Sequence, residues 1–554
     1  MSIITIRFRN LLGNEVLELP VTGTFGRLGG LDVSAWNREV CLHYGDLGPP
    51  PSPAFADGAG RWLPTLSYSL AIQRLENGTP RGPEQTISGT ISRGQDLTLQ
   101  RWGETVLPDV EALPAPVRSW AYRMARGVER IPQGILDQAR TRGQDVEDTD
   151  ATGSGRLVTF RDPVVLTMLF GRGPARKTAA ESLLLWADQQ GLRGCHFYDS
   201  REAYAPFRAK AGVYLGHGYR SMGGGFETLF SSELPPFEPM QVDGQGKIHG
   251  VRTGWYIPHA THHEIAPLVA AGYLLGSAAA LRRAVAEVNA IGTHLLAGEK
   301  LSSRGIGRFW WSLAHLQPAL ALAWPGTEAL PLLASRLLGY LIDRNRGGAP
   351  APDNGETSEG TGHLNHALMA SFLGQIGITD EATIKAFATS DASWFVTQLW
   401  AGLSEYLEAA SDCGTMPPGP FLQDAELQRD YAARFLERGT RAHLDAHGHP
   451  YDAPVTPGIQ GTWNELSATS LPSGLRPAEG NGTASLHNGV IPRFWMSTMA
   501  VLAGPRGYQD ARWWGPAEQA YTYCQLHGTW NGDYPDWALE AAPALEFLPW
   551  LPGA

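Results

Sequence analysis

The chain has 554 residues, 43% of them hydrophobic and 18% charged, the make-up of a globular protein too long for one ordinary core, so two or three domains are expected. A formal net charge of −11 argues against a sequence-independent nucleic-acid binder, which needs a basic surface. No apolar run reaches the roughly 18 residues of a membrane-spanning helix, and four cysteines spread singly (Cys41, Cys195, Cys413, Cys524) do not read as a disulfide framework or a zinc knuckle.

In chain order, residues 1–112 read as an antiparallel β domain. Ile3–Phe8, Glu15–Leu19, Leu66–Gln73 and Thr86–Leu99 alternate or are β-branched, with Gly/Pro/Asp clusters between them. The start, Met1 to Arg9, alternates like a strand and lacks the pattern of a signal peptide, so the expectation is cytoplasmic synthesis without export by the general secretory route. Residues 113–250 form a mixed helical linking region. Helical spacing runs from Val117 to Arg142 with a break at Pro132, and Gln144–Gly155 is an acidic, Gly-rich loop. Leu157–Phe170 fits a strand or a short buried helix, and Arg176–Gln190 fits an amphipathic helix. Tyr198–Gly250 carries no pattern, and reads either as a functional loop or as an exposed insertion.

From residue 251 to 554 the dominant feature is a loose repeat. Ala/Leu-rich stretches break at Gly276, Gly326, Gly377 and Gly504, the first three breaks lying 50 and 51 residues apart, which describes stacked helical hairpins. On that reading residues 255–410 hold antiparallel helices and no parallel strand pairing. Each break is preceded by aromatic and ionisable residues: Trp255, Tyr256, His259, His262 and His263; then Arg304, Arg308, Trp310, Trp311 and His315; then Glu356, Glu359, His363, Asn365 and His366; then His487, Asn488, Arg493 and Trp495.

His259 and His263 share a helix face behind Pro258, a spacing open to a metal, a base or a structural role; the zincin pattern and a third ligand are missing, so no metal and no cofactor is assigned. Arg304 and Arg308 at a helix start suit an anion. Trp310 and Trp311 suit the faces of a sugar ring, or fill the core. The Gly305/Gly307 pair is weak as a phosphate motif, because no strand precedes it. Glu356 and Glu359 offer a carboxylate pair of the kind glycoside hydrolysis uses. Trp463-Asn464-Glu465 and the Trp-rich tail, with Trp530, repeat the mix of indole, amide and carboxylate.

With these clusters the chain resembles the (α/α) toroid, or six-hairpin, group of carbohydrate-active proteins, over about residues 250–530. The resemblance implies an α+β chain, an N-terminal antiparallel β domain followed by a toroid of stacked hairpins (residues 251–554, with the Trp-rich tail). It implies a polysaccharide or oligosaccharide partner, with no nucleic acid and no membrane, and leaves room for a homo-oligomer or a virion assembly. In the lyase members a His or Tyr removes the proton beside a uronate carboxylate that Arg or Asn neutralises. By residue type those roles fall on Tyr256, His259, His263, Arg308 and Asn365, with Trp255, Arg304, Trp310, Trp311, His363, Trp463 and Trp530 as substrate contacts. β-Elimination is favoured over hydrolysis by Glu356 and Glu359, and the alternative is a non-catalytic virion or adhesion protein on a sugar-enzyme scaffold.

Overall fold

A computed structural model describes residues 2–45, 52–56, 58, 63, 65–92, 94–128, 137, 160–191, 194–195, 241–242, 248–249, 255–256, 265–296, 303–345, 390–447 and 465–467. Nine strands come first: β1 (Ile4–Asn10), β2 (Val16–Pro20), β3 (Phe25–Leu28), β4 (Leu31–Trp36), β5 (Glu39–His43), β6 (Thr65–Glu76), β7 (Thr79–Pro80), β8 (Gln85–Ser92) and β9 (Asp96–Arg101). They make two wholly antiparallel sheets. In the outer one the order is β2-β1-β6-β7, with β8 also pairing β6; the inner one runs β3-β4-β5-β9. Alternation explains the packing. Ile6, Phe8, Leu70, Ile72 and Ile91 from the outer sheet meet Leu28, Leu31, Val33, Val40 and Leu42 from the inner one, closing a sandwich core.

The inner sheet is covered on its other face too. All five residues of β5 are buried: Val40 and Leu42 belong to the sandwich core, while Cys41 joins the core of the helices. Those helices are α1 (Ala115–Ala125), α2 (Pro163–Phe170), α3 (Pro174–Gly191), α4 (Ala266–Leu275), α5 (Ala278–Leu296), α6 (Ser303–Ala321), α7 (Leu330–Asn345), α8 (Ser393–Cys413) and α9 (Phe421–His447). The described chain is therefore mixed α+β, antiparallel sheets followed by helices. Within the stretch read as a strand or a short buried helix, Pro163–Phe170 is a helix, started by Pro163 and by Asp162, whose carboxylate accepts from the amides of Val164 and Val165.

A polar seam joins sheet and helices. Glu39 Oε1 accepts from Ser277 Oγ and from the Ala279 amide, each at 3.0 Å, so a sheet carboxylate sits on the N-terminus of α5. Its other oxygen meets Arg101 at 2.9 Å, and Arg101 holds Asp188 of α3 at 2.6 Å. Beside it, Arg282 of α5 lies 3.4 Å from Asp96 and 5.0 Å above the Phe25 ring. His43 Nδ1 lies 3.0 Å from Asp96 Oδ1, without hydrogen-bond alignment, and both side chains are fully buried.

Two of the repeat's glycine breaks are described, and both abut the β layer. Gly276 ends α4 in the left-handed region (φ 72°), where a Cβ would strike the Asn37 side chain in the β4–β5 turn. The turn holding Gly326 carries Trp324, which lies against Trp36 (ring centroids 4.7 Å) and so close to Gly23 that a Cβ there would sit 2.5 Å from the indole. Helices α4 and α6 thus both point their C-terminal ends at the β layer. Helix α8 runs parallel to α6: Gly307 meets Gln398 and Gly402 toward the two N-terminal ends, and Gln317 Oε1 accepts from Thr415 Oγ1 at 2.6 Å beyond the C-terminal end of α8.

The strand pairing of residues 255–410 departs from the pure hairpin expectation. Trp255 and Tyr256 form a two-residue strand paired parallel to Gly194 and Cys195, so the chain entering the helical region is tied to the end of α3 by backbone. A second short pair, antiparallel, joins Ser390–Ala392 to Glu465–Ser467. Among the described residues no helix is long and apolar enough to cross a membrane.

Candidate functional site

The helical layer is built on one very close crossing. A Cβ on Gly402 would lie 2.1 Å from the Gly307 carbonyl oxygen, and one on Gly307 would lie 2.5 Å from the Gln398 backbone. The glycine weighed as a phosphate motif therefore lets α6 and α8 touch backbone to backbone. That crossing sets Arg308, 1% exposed, inside the layer.

Further along, α8 presents Glu405, Glu408 and Asp412, spaced three and four apart so that they share one face. Facing them are arginines from α1 and the entry to α2. Arg161 lies 3.6 Å from Glu405, both nearly fully buried, and Arg161 Nε donates to the Arg126 carbonyl at 3.2 Å. Arg126 pairs with Glu408 at 2.6 Å, and Asp412 takes bonds from Ser119 and from Arg123, which is buried. Burial, and then the neighbouring Glu405, push the Glu408 carboxyl up to about 7, against the pull of Arg126. A carboxyl that shares its proton near neutrality can give or take one.

His315 of α6 closes this region. Its Nδ1 accepts from Trp120 Nε1 at 2.9 Å, which leaves Nε2 to carry the proton of the neutral ring, and the Phe160 ring stacks on it at 4.4 Å and 10°. Its carbonyl accepts from the Tyr273 hydroxyl at 2.9 Å, and the same hydroxyl accepts from the Ala319 amide at 3.0 Å. Tyr273 thus inserts into the α6 ladder at Pro318, where proline disrupts helical bonding. Burial raises the Tyr273 phenol well above its ordinary range.

The residues singled out from sequence fall into three groups. Arg308, Trp310, Trp311 and His315 are described, and all are buried. Trp310, fully buried, packs against Tyr406 (4.9 Å) and Phe421 (6.3 Å), and Trp311 is 6% exposed. These two rings therefore belong to the core of the helices and do not offer an open face to a sugar. Arg304 in α6, and Trp255 and Tyr256 in their strand, are described by backbone alone. His259, His263, Glu356, Glu359, His363, Asn365, Trp463 and Trp530 lie outside the described residues. Among the described residues no group of His, Cys, Asp and Glu side chains is placed to hold a metal ion.

Arg123, Arg126, Arg161, Glu405 and Glu408 were not singled out from sequence. The signal was the acidic spacing of Glu405, Glu408 and Asp412 on the helix that also carries the apolar Leu403 and Leu407, a pattern that a solvent-facing charged stripe shares. Comparison with protein-family models, curated proteins and solved structures finds no match.

Proposed function

We propose that the protein binds an acidic polysaccharide with its helical half and cleaves it, β-elimination of a uronate-containing glycan being favoured over hydrolysis. The observation that supports this most is the shared direction of alternate helices. Helices α4 and α6 point toward the β layer and α8 runs parallel to α6. Their N-terminal ends therefore all face away from the β layer; α6, 19 residues long, spans about 28 Å and α4, 10 residues long, about 15 Å. In sequence, each of those ends adjoins one of the polar-aromatic clusters. His259 and His263 precede α4, Arg304 and Arg308 open α6, and Glu465, two residues after Trp463, pairs by backbone with Ala392 just before α8. Parallel inner helices whose N-termini ring one mouth are how an (α/α) toroid builds a sugar cleft.

In this reading Asn365 neutralises the uronate carboxylate, which acidifies the proton beside it; Arg308, expected from sequence to share that role, is 1% exposed inside the layer and is not placed to touch a polymer. His263 or Tyr256 takes that proton from C5, the C4–O glycosidic bond breaks as the C4=C5 double bond forms, and the leaving oxygen takes up a proton, so no water is consumed. Hydrolysis is the second reading, with Glu356 and Glu359 as the acid/base pair.

The test is incubation of the full chain with a panel of uronate-containing polymers. New ultraviolet absorption from unsaturated uronate, lost in His263→Ala and Asn365→Ala variants that keep the wild-type melting temperature, supports elimination. Reducing ends without unsaturation, abolished by Glu356→Gln or Glu359→Gln, moves the assignment to hydrolysis. Binding without any cleavage overturns the enzymatic reading in favour of an adhesion or virion role.

A further inference from the structure

Among the described residues, the outer sheet ends in a strand whose edge is unpaired and lacks the usual protection. Strand β8 pairs with β6 over eight residues, Gln85↔Ile72 through Ser92↔Thr65, and Gln85, Thr86, Ser88, Gly89 and Thr90 are exposed. Among the described residues, no backbone group of residues 85–91 bonds to anything other than the β6 ladder; only Ser92 is tied off, its amide donating to Gln95 Oε1 at 2.7 Å. Edge strands are ordinarily short, bulged, or broken by proline and charge. This one is full length and in unbroken register, and carries no charged residue and no proline. The other edges differ: β2 is five residues with Glu18 and Pro20 in it, and β9 packs beside α3, with Asp188 on Thr98 at 2.9 Å.

The sequence of this edge reads nearly the same about its own centre. Around Gly89, an antiparallel second copy of Thr86-Ile87-Ser88-Gly89-Thr90-Ile91-Ser92 sets Ser88 opposite Thr90, Ile87 opposite Ile91 and Thr86 opposite Ser92. Ile87 and Ile91 belong to the inward face and pack with the sandwich core, so pairing would continue the core across the join. The hydroxyls belong to the outward face, where Ser88 already meets Ser69 at 2.8 Å, and cross-strand Ser/Thr pairs are favourable neighbours. Gly89 need not be a weak point: the Tyr68 ring lies over it, its hydroxyl 2.9 Å from where a Cβ would stand.

We propose that β8 is the pairing edge of a homodimer, in which two copies join antiparallel about a two-fold axis at Gly89 and fuse their outer sheets into one. Self-complementary edges suit this closed isologous arrangement, because each residue's partner is supplied by the same strand of the other copy.

Sedimentation of the full chain at micromolar concentration should give twice the 60.0 kDa of one chain. Ser88→Lys with Thr90→Lys faces four ammonium groups across the axis and should return the mass to 60.0 kDa with an unchanged melting temperature. If that variant's melting shifts, cysteines decide instead. A mixture of Ser88→Cys and Thr90→Cys chains should form an interchain disulfide in high yield, and Ser88→Cys alone should not. A wild-type chain that stays monomeric, a well-folded lysine variant that stays dimeric, or equal cross-linking by Ser88→Cys alone would each overturn the proposal.

Discussion

Glu408 couples the candidate site to pH. Its folded-state carboxyl is raised from 4.5 to about 7, so between those values the folded chain holds a proton that the unfolded chain has released. The stability this group contributes is complete below about pH 4.5 and is lost as pH rises through about 7, a change of at most about 3 kcal/mol. Denaturant unfolding of wild type and Glu408→Gln at pH 5, 6, 7 and 8 should show the wild-type curve falling relative to the variant over that window; parallel curves would remove the assignment. Tyr273 gives a second test at this scale. Tyr273→Phe leaves the Ala319 amide and the His315 carbonyl without the hydroxyl that bridges them, at a cost of about 1–3 kcal/mol. In a Pro318→Ala background the α6 ladder can close on itself, so the same change should cost clearly less in a double-mutant cycle. His315 was legible in sequence as one of a polar-aromatic group, but its neighbours were not. Trp120 and Phe160 come from segments 195 and 155 positions away, and no periodicity along one helix reports such contacts.

At the element scale, α6 and α8 meet with no room for a side chain. Gly402→Ala drives a Cβ into the Gly307 carbonyl and should destabilise by about 1–3 kcal/mol or more, read as a lowered denaturant midpoint. Gly339 of α7 is the control: nothing lies within 4 Å of its would-be Cβ, so Gly339→Ala should stabilise by about 0.5–1 kcal/mol through helix propensity alone. The contrast also marks how far sequence carries. The strands β1, β2 and β6 and helices α3, α4 and α6 follow from alternation or helical spacing, and Gly276 and Gly326 were readable as breaks. Thr86–Leu99, read as one strand, is two, turned at Gly94 (φ 77°). Strands β3, β4 and β5 were not anticipated, although they form most of the inner sheet. The inner sheet is covered on both faces, so β5 carries Val40 and Leu42 toward one core and Glu39, Cys41 and His43 toward the other. Polar residues buried in a seam give the sequence no clean in-and-out rhythm.

Across the whole molecule, the inner sheet shares one core with the outer sheet and another with the helices. The three layers should therefore lose structure together, with tryptophan fluorescence and far-ultraviolet circular dichroism melting at one temperature. Glu39 holds two of those layers, bridging Arg101 and the start of α5 while itself 2% exposed. Glu39→Ala should cost about 1–3 kcal/mol, because it removes one of the two carboxylates on Arg101, leaving Asp188, and uncaps α5. Glu39→Gln, which keeps an acceptor for Ser277 and Ala279, should cost less; separate melting of β and helical signals in the alanine variant would show that the seam is what makes unfolding cooperative. Cys41 lies in the same seam, fully buried, with its thiol raised well above the ordinary range by burial and by Glu39. Only a thiolate reacts with an alkylating reagent, so Cys41 is silent while the layers stay together. Each labelling event at that position, located by peptide mass, then records one parting of sheet from helix, and the chain carries its own clock for how often its layers open.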